Sequence, residues 1–304
     1  MSWIAILLLI TSAFTHALWN LISKRRSPTL AFFFLASVSA ALTISPVLLI
    51  HSYLLPRIPP AIWGLVVITG VAQAVYFSGL AGAYRRGDLS LAYPLARALP
   101  VLTVAGISFL LGRGAEIHRF GLLGMLLISL GCVILPLPHF RRLRLQDYAN
   151  AVYWMAVIAA IGTTGYTLID DAVLRQLRLN PALPLSTTGI TLLFIACQTL
   201  STAVMLGLFT LFRPGERQRL AGLLRTRSLL LTSLATGVVI MATYGLVLAS
   251  MAYVRDVSYV AAFRQLSIPI GAVLGMTVQQ EPRHRPKILG IVVISIGLLL
   301  VAVG

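Results

Sequence analysis

Acidic residues, and charged residues in general, are scarce in this sequence. Only 8 of its 304 residues are Asp or Glu and 11% are charged, whereas 58% are hydrophobic. The mean hydropathy of +0.92 lies outside the range of soluble domains. No stretch is left over for a sizeable soluble domain. The composition therefore predicts an integral membrane protein that is surrounded by a lipid bilayer.

Cysteine is scarce too, and the excess of basic residues has a membrane explanation. Cys132 and Cys197 lie in apolar stretches without a Cys or His partner at metal-binding spacing, so we predict packing roles and no metal or cofactor. A net charge of +16 could suit nucleic acid. However, the basic residues form short clusters between apolar stretches, as loops at an anionic membrane surface do. We therefore predict no nucleic-acid partner.

Apolar stretches of about 20 residues, each long enough to cross a bilayer core of about 30 Å, take up most of the chain. The predicted transmembrane spans are 3–22, 29–50, 60–83, 89–111, 119–136, 149–169, 186–212, 229–252, 257–278 and 287–303. Four prolines lie inside predicted spans and predict kinks there: Pro46, Pro94, Pro100 and Pro269.

The two halves of the sequence resemble each other. The correspondences run from 76–81 to 244–249, from 88–90 to 256–258, and from Gly124, Ser129 and Gly131 to Gly290, Ser295 and Gly297. Five spans per copy is an odd number, so the second copy must lie inverted in the bilayer, as in many secondary transporters. We predict an all-α polytopic membrane protein of ten transmembrane helices, built from two inverted five-helix repeats at residues 1–140 and 141–304.

Lysine and arginine are distributed unevenly between the two sets of loops. If the first span begins outside the cell, the cytoplasmic loops hold 16 basic residues and the opposite loops hold 6. Because positively charged loops stay in the cytoplasm, this count predicts that both termini lie outside.

The fourth span carries an arginine near its middle. Arg97 lies nine residues beyond Asp88, or about 13 Å along a helix, and shares a helix face with Tyr93. An arginine at that depth is costly unless it meets water, a counter-ion or a substrate. Its counterpart in the second copy is Gln265, beside Arg264. These residues predict a site for an anionic group such as a carboxylate. Pairing with helix carbonyls or a carboxylate for assembly alone is the other interpretation, and for Arg264 the two stand even.

Other polar and aromatic residues inside spans are further candidates for substrate binding. His16 and Asn20 lie one helical turn apart in the first span, beside Trp19. The imidazole of His16 can relay protons, which makes a coupling proton a candidate partner, or it can donate one hydrogen bond to a neighbouring helix. Trp19 fits either a cavity wall or the interfacial belt. Three tyrosines fit either a cavity lining or simple packing: Tyr76, Tyr166 and Tyr244.

None of the acidic residues falls in the middle of a predicted span. Asp170 and Asp171, at the end of the sixth span, come nearest. Asp88 and Asp256 occupy matched positions before the fourth and ninth spans, where we predict that they cap the helices. Proton-driven exporters of cationic drugs need a buried carboxylate, so this pattern counts against cationic drugs as substrates.

Two segments resemble the EamA-type family of the drug/metabolite transporter superfamily, namely residues 15–20 in the first span and residues 84–95 before and within the fourth. The matched Gly and Ser positions of the fifth and tenth spans are similar to that family as well. The resemblance implies a transporter of the bacterial inner membrane, commonly an exporter of amino acids or other small metabolites. It also implies a central cavity lined from the first, third, fourth, sixth, eighth and ninth spans. Finally, it implies that both termini lie in the cytoplasm, opposite to the charge count.

From these features we predict a multi-pass permease that moves a small metabolite, such as an amino acid or organic anion, by alternating access. Export of drugs or of a lipid-linked substrate is the alternative, since Arg97 can bind a lipid phosphate as well as a carboxylate. A membrane enzyme acting on a lipid is the third interpretation. The sequence carries no His-Glu-x-x-His, Gly-x-Ser-x-Gly or paired acidic motif, so we expect no catalysis. It carries no signal for the oligomeric state.

Overall fold

The protein is a bundle of α-helices. The computed structural model describes residues 1–24, 29–86, 89–135, 137, 151–278, 280 and 282–304, and no β-strand occurs among them. The helices are α1 (Trp3–Lys24), α2 (Leu30–Ile50), α3 (Pro60–Arg86), α4 (Leu89–Ser108), α5 (Arg119–Ile134), α6 (Ala151–Leu179), α7 (Thr187–Leu211), α8 (Pro214–Arg225), α9 (Arg227–Ser250), α10 (Val257–Phe263), α11 (Ser267–Val278) and α12 (Arg285–Val303).

Within the described residues, eight helical segments are long and apolar enough to cross a membrane. Two shorter apolar helices accompany them, Trp3–Ala17 within α1 and Arg119–Ile134. Large hydrophobic side chains such as Leu49 and Leu110 are 74% and 87% exposed on the outside of the bundle. Such side chains would be unfavourable in water but suit a lipid-facing surface, because a bilayer core is as apolar as they are. The chain is therefore an integral, multi-pass membrane protein.

Helix α6 extends ten residues beyond the end predicted for the sixth span. We expected that span to end at residue 169, before the two acidic residues, but α6 continues to Leu179. Asp170 and Asp171 lie inside the bundle with exposed fractions of 0% and 1%. The prediction that no acidic residue lies well inside a span is therefore wrong. The bundle accommodates these side chains because Asp171 forms ion pairs and Asp170 accepts hydrogen bonds from hydroxyl groups.

The ninth predicted span consists of two helices joined by a turn. Helix α10 ends at Phe263, residues Arg264–Leu266 form a 3-10 turn, and α11 follows. Pro269 explains the position of this break, because it has no N–H to bond the carbonyl of Gln265 four residues earlier, and its ring crowds that carbonyl. The kink predicted at Pro269 is confirmed, whereas α2 continues as one helix through Pro46 and α4 continues through residues 94 and 100. The carboxylate of Asp256 accepts a hydrogen bond from the backbone N–H of Ser258, which confirms its predicted capping role; Asp88 lies outside the described residues.

Glycines allow α5 and α12 to pack backbone to backbone. A Cβ atom at Gly124 would lie 2.5 Å from the carbonyl oxygen of Gly297, and one at Gly297 would lie 2.7 Å from the carbonyl oxygen of Gly124. About two helical turns away, a Cβ atom at Gly131 would lie 3.0 Å from the carbonyl oxygen of Gly290. Larger residues cannot fit there, so these glycines determine how closely the two helices approach.

Helix α8 was not predicted from the sequence. Pro214 begins it, Glu216 lies in its first turn and Arg225 in its last, an arrangement that suits the helix dipole at both ends. We call the face of the bundle that carries α8 the α8 face. The opposite face, where α1 begins and α12 ends, is called the terminal face.

Candidate functional site: a cationic cavity inside the bundle

A cavity lies between the helices. Side chains from α1, α2, α3, α4, α6, α7 and α9 line it, together with the turn between α10 and α11. The resemblance implied a lining from the first, third, fourth, sixth, eighth and ninth predicted spans, of which the eighth is α9 and the ninth is α10 with α11. The contributions of α2 and α7 were not implied. Its polar and charged lining residues are Ser12, His16, Ser37, Gln73, Tyr76, Arg97, Tyr166, Gln198, Thr199, Thr202, Thr243, Tyr244 and Arg264. Among the described lining residues none is acidic.

Arg97 and His16 approach this cavity from α4 and α1. The Arg97 side chain is 7% exposed, and its guanidinium is hydrogen-bonded to Nε2 of His16. Because a guanidinium can only donate, the imidazole accepts with Nε2, so the ring carries no proton on that nitrogen while the bond is present. The arrangement therefore joins two of the predicted site residues from different helices.

Arg264 is surrounded by tyrosines. Its guanidinium donates to the Tyr166 hydroxyl at 3.2 Å and lies 5.8 Å and 5.3 Å from the ring centroids of Tyr166 and Tyr244. The rings of Tyr166 and Tyr244 meet edge to face with centroids 5.4 Å apart, and Tyr76 meets Tyr166 in the same way at 5.8 Å. These contacts hold the guanidinium by cation–π attraction. In the described part of the chain, Arg264 forms no ion pair.

Asp170 lies behind this aromatic wall. The Tyr244 hydroxyl donates to its Oδ2 at 2.6 Å, and the Thr69 hydroxyl donates to its Oδ1 at 2.5 Å. Asp170 does not line the cavity, but Tyr244 does, and Tyr244 also contacts Arg264. A single tyrosine therefore connects the buried carboxylate with a cavity cation.

The structure brings together six of the ten predicted binding residues: His16, Tyr76, Arg97, Tyr166, Tyr244 and Arg264. Gln265 is not among the lining residues; it is 3% exposed, and its amide donates to the carbonyl of Ala261 at 2.9 Å. The break in the helix explains why Gln265 is absent from the lining: at the turn, Arg264 faces the cavity and Gln265 does not. The side chains of Trp19, Asn20 and Tyr93 lie outside the described residues.

Sequence reasoning missed the polar residues of α7, and it placed Asp170 at the end of a span rather than inside one. Gln198 and Thr202 are one helical turn apart and belong with Thr199 to the cavity lining. Their spacing in an otherwise apolar span was a signal that could have been used. Asp170 was placed at a span end because two adjacent acidic residues, Asp170 and Asp171, interrupt the apolar run.

Ion-pair clusters lie at both faces of the bundle. At the terminal face, Arg113 contacts Asp171 and Asp256, each at 3.0 Å. At the α8 face, Glu216 contacts Arg85 at 3.2 Å and Arg219 at 2.8 Å, and it also accepts from the backbone N–H of Ala31 at 3.1 Å. Each cluster connects residues of the first 140 with residues of the remainder of the chain, and the cavity lies between the two clusters.

Comparison with known proteins identifies the first half of the chain. Residues 3–137 match the profile of the EamA-like transporter family. The predicted resemblance is confirmed over these residues. The EamA-like family is part of the drug/metabolite transporter superfamily, and its members are transporters. No curated protein matches the chain significantly. One solved crystal structure aligns with a TM-score of 0.69 over 98% of this chain and 96% of its own, at 18% identity, so the two share a fold.

Proposed function

We propose that the protein is a secondary transporter, a permease of the bacterial inner membrane, that moves a small organic anion such as an amino acid or carboxylate. Arg264 carries this proposal. Its positive charge faces a cavity inside the bundle and, in the described part of the chain, meets tyrosines rather than a carboxylate. A cation in such a place is costly unless a ligand supplies the opposite charge. Arg97 adds a second guanidinium to the same cavity.

The architecture that we propose is ten transmembrane helices in two inverted repeats. The contact between Gly124 and Gly297 supports it. Under the sequence correspondence, Gly124 becomes Gly290 and Gly297 becomes Gly131, and those two residues also approach each other. A contact that maps onto a second contact is the signature of a two-fold relation between the halves. The family match also ends at residue 137, close to the predicted boundary at residue 140.

The two ion-pair clusters support a mechanism of alternating access. In the first repeat, Arg113 reaches the terminal face and Arg85 the α8 face. The buried carboxylates that they contact, Asp171, Asp256 and Glu216, belong to the second repeat. Rocking of one repeat against the other would open one cluster while the other stays closed. The cavity would then be exposed to each face in turn. The excess of basic residues in loops of the α8 face supports its assignment to the cytoplasm.

Export of cationic drugs is the second candidate, because Asp170 is a buried carboxylate of the kind that proton-driven exporters of cationic drugs need. Two observations weigh against it. Asp170 is not among the lining residues and is bonded to Tyr244, which is, and the cavity itself presents two arginines. A cationic substrate would be repelled by those arginines before it could reach the carboxylate.

Counterflow in proteoliposomes tests the anion proposal. Labelled glutamate, succinate and lactate are offered to wild type, to Arg264→Gln and, as a matched control, to Arg225→Gln on α8. We expect saturable uptake of at least one anion by wild type and by the control, and a loss of about 10-fold or more in Arg264→Gln. Well-folded Arg264→Gln protein that transports as wild type does would refute the proposed role of this residue. Uptake of a cationic dye in place of all three anions would favour the drug exporter.

A further inference from the structure

Asp170 is a buried carboxylate that anion binding alone does not use. It is 0% exposed, and its two oxygens are held by hydroxyl groups from α3 and α9. Within the described residues it forms no ion pair, unlike its neighbour Asp171, which contacts Arg113 and Arg175. A buried acidic group that is not committed to an ion pair is costly to retain and, inside a membrane, marks a functional site by default.

The hydrogen bonds of Asp170 accommodate two protonation states. When the carboxylate is ionised, Thr69 and Tyr244 both donate to it. When one oxygen carries a proton, that oxygen donates to the hydroxyl oxygen of its partner, because Ser, Thr and Tyr hydroxyls both donate and accept. No heavy atom has to move between these two arrangements. The site can therefore gain and lose a proton without losing either contact.

The charge of Asp170 is linked to the cavity through Arg264. Tyr244 bonds Asp170 with its hydroxyl and lies under the guanidinium of Arg264 with its ring. While Asp170 is ionised, it partly balances the charge of Arg264, so an incoming anion gains less there. Once Asp170 is protonated, the positive charge of Arg264 is left for the anion. Each ligand therefore strengthens the binding of the other, as reciprocity requires.

Other charged or titratable groups around Asp170 are few. On its own helix they are Asp171 and Tyr166; Tyr244 comes from α9 and Arg264 from the turn. Helix α3 carries no charged residue before Arg85, and α7 carries none at all. The segment after α4 carries Arg113, and Asp256 caps α10; both belong to the ion-pair cluster of the terminal face, where they are already paired with each other. Arg264 is consequently the cation best placed to respond when Asp170 changes its charge.

We propose that Asp170 is a proton-binding site and that a proton on its carboxylate strengthens the binding of an anion at Arg264. The proton comes from water, forms an O–H bond with the carboxylate and leaves to water after the anion has gone. A proton and an anion then move together, and a proton gradient can drive accumulation of the anion. The coupling rests on the proposed anion transport, whereas the proton site does not.

Infrared difference spectroscopy tests the proton site without any substrate. Wild type in lipid is taken from about pH 9 to about pH 5, and the carbonyl stretch of a protonated carboxyl group is followed. We expect a band that is missing in Asp170→Asn and shifted in frequency in Tyr244→Phe. Glu116→Gln is the control and should retain the band, because the side chain of Glu116 is 39% exposed and not buried like Asp170. If Asp170→Asn fails to fold, the frequency shift in Tyr244→Phe still tests whether the band belongs to Asp170. The proton site is overturned if the wild-type band persists in Asp170→Asn. It is also overturned if no band depends on Asp170 or shifts in Tyr244→Phe.

The coupling is tested by repeating the titration with saturating glutamate, succinate or lactate. We expect at least one anion to move the midpoint of the Asp170 band to higher pH, and anion affinity to be about 10-fold tighter at the acidic end. In Asp170→Asn, affinity should stay at its acidic-end value at every pH, and a proton gradient should drive no accumulation. An anion that is transported but leaves the band in place overturns the coupling alone. If no anion is transported and none moves the band, the proposed function and the coupling both fail, while the band still decides the proton site.

Discussion

Replacing Arg113 with Ala should destabilise the protein strongly, because this side chain joins three helices at the terminal face. Its guanidinium lies 3.0 Å from a carboxylate oxygen of Asp171 and 3.0 Å from one of Asp256. These carboxylates are 1% and 0% exposed, whereas Arg113 is 22% exposed. The substitution therefore removes one cationic partner from each of two buried acidic groups at once.

The size of the expected loss of stability follows from the contacts that each carboxylate keeps when Arg113 is removed. Asp171 keeps Arg175, whose Nε lies 2.9 Å away. Asp256 keeps only neutral donors, the hydroxyl of Ser108 at 3.1 Å and the N–H of Ser258 at 2.8 Å. One buried charge is thus left without a cation, and removal of one partner from a buried pair costs about 3–5 kcal/mol. The contact to Glu116 adds little, because that pair is partly exposed.

Urea or thermal unfolding in detergent micelles measures this loss, with Arg175→Ala as the matched control. Arg175 is 39% exposed and Asp171 keeps Arg113 without it, so we expect a cost of about 1 kcal/mol or less. The double variant Arg113→Ala/Asp256→Asn should recover part of the loss, because the stranded charge is then absent. If the free energy of unfolding of Arg113→Ala lies within about 1 kcal/mol of the wild-type value, the cluster does not hold these helices together.

Three further predictions concern packing, the cavity and the α8 face. Gly124→Ala should lower the free energy of unfolding by about 1–3 kcal/mol, because its Cβ would meet the backbone of α12, whereas Gly106→Ala, with nothing within 4 Å, should be neutral or slightly stabilising in the same unfolding assay. Tyr166→Phe removes the hydrogen bond to Arg264 but keeps the cation–π contact, so anion counterflow should weaken by a factor of about 3–10; an unchanged affinity would mean that this hydroxyl does not position the guanidinium. Glu216→Gln should loosen the α8 face and raise the reactivity of a cysteine introduced at Ala31 toward a thiol reagent, and unchanged reactivity would show that this cluster is no barrier.

Much of the helical framework was predictable, because a span in lipid must satisfy its backbone internally and therefore shows itself as a long apolar run. Helix α2 agrees with its prediction within one residue at each end. The error at α6 has the same origin. A rule based on apolar runs stops at the first pair of charges, and it cannot register that Arg113, distant in sequence, neutralises Asp171.

The candidate site was partly predictable for a related reason. An arginine inside a span is rare enough to be noticed, so Arg97 and Arg264 could be selected from the sequence alone. Which of Arg264 and Gln265 faces the cavity could not be selected, since both follow the same apolar run. The break at Pro269 settles their orientation, and the sequence predicted a kink but not which side chain it would turn inward.

The sequence by itself determined that this chain spans a membrane as a multi-pass helical protein, that its first half is EamA-like, and that cations lie where lipid would not tolerate them alone. Composition and periodicity carry such information because the bilayer acts on every residue separately. Only the tertiary structure decided that Arg264 meets Tyr166 and Tyr244, and that Asp170 stands behind them with Thr69. Those contacts join α3, α6, α9 and the turn before α11. They depend on how helices cross, and no local pattern in the sequence encodes the crossing.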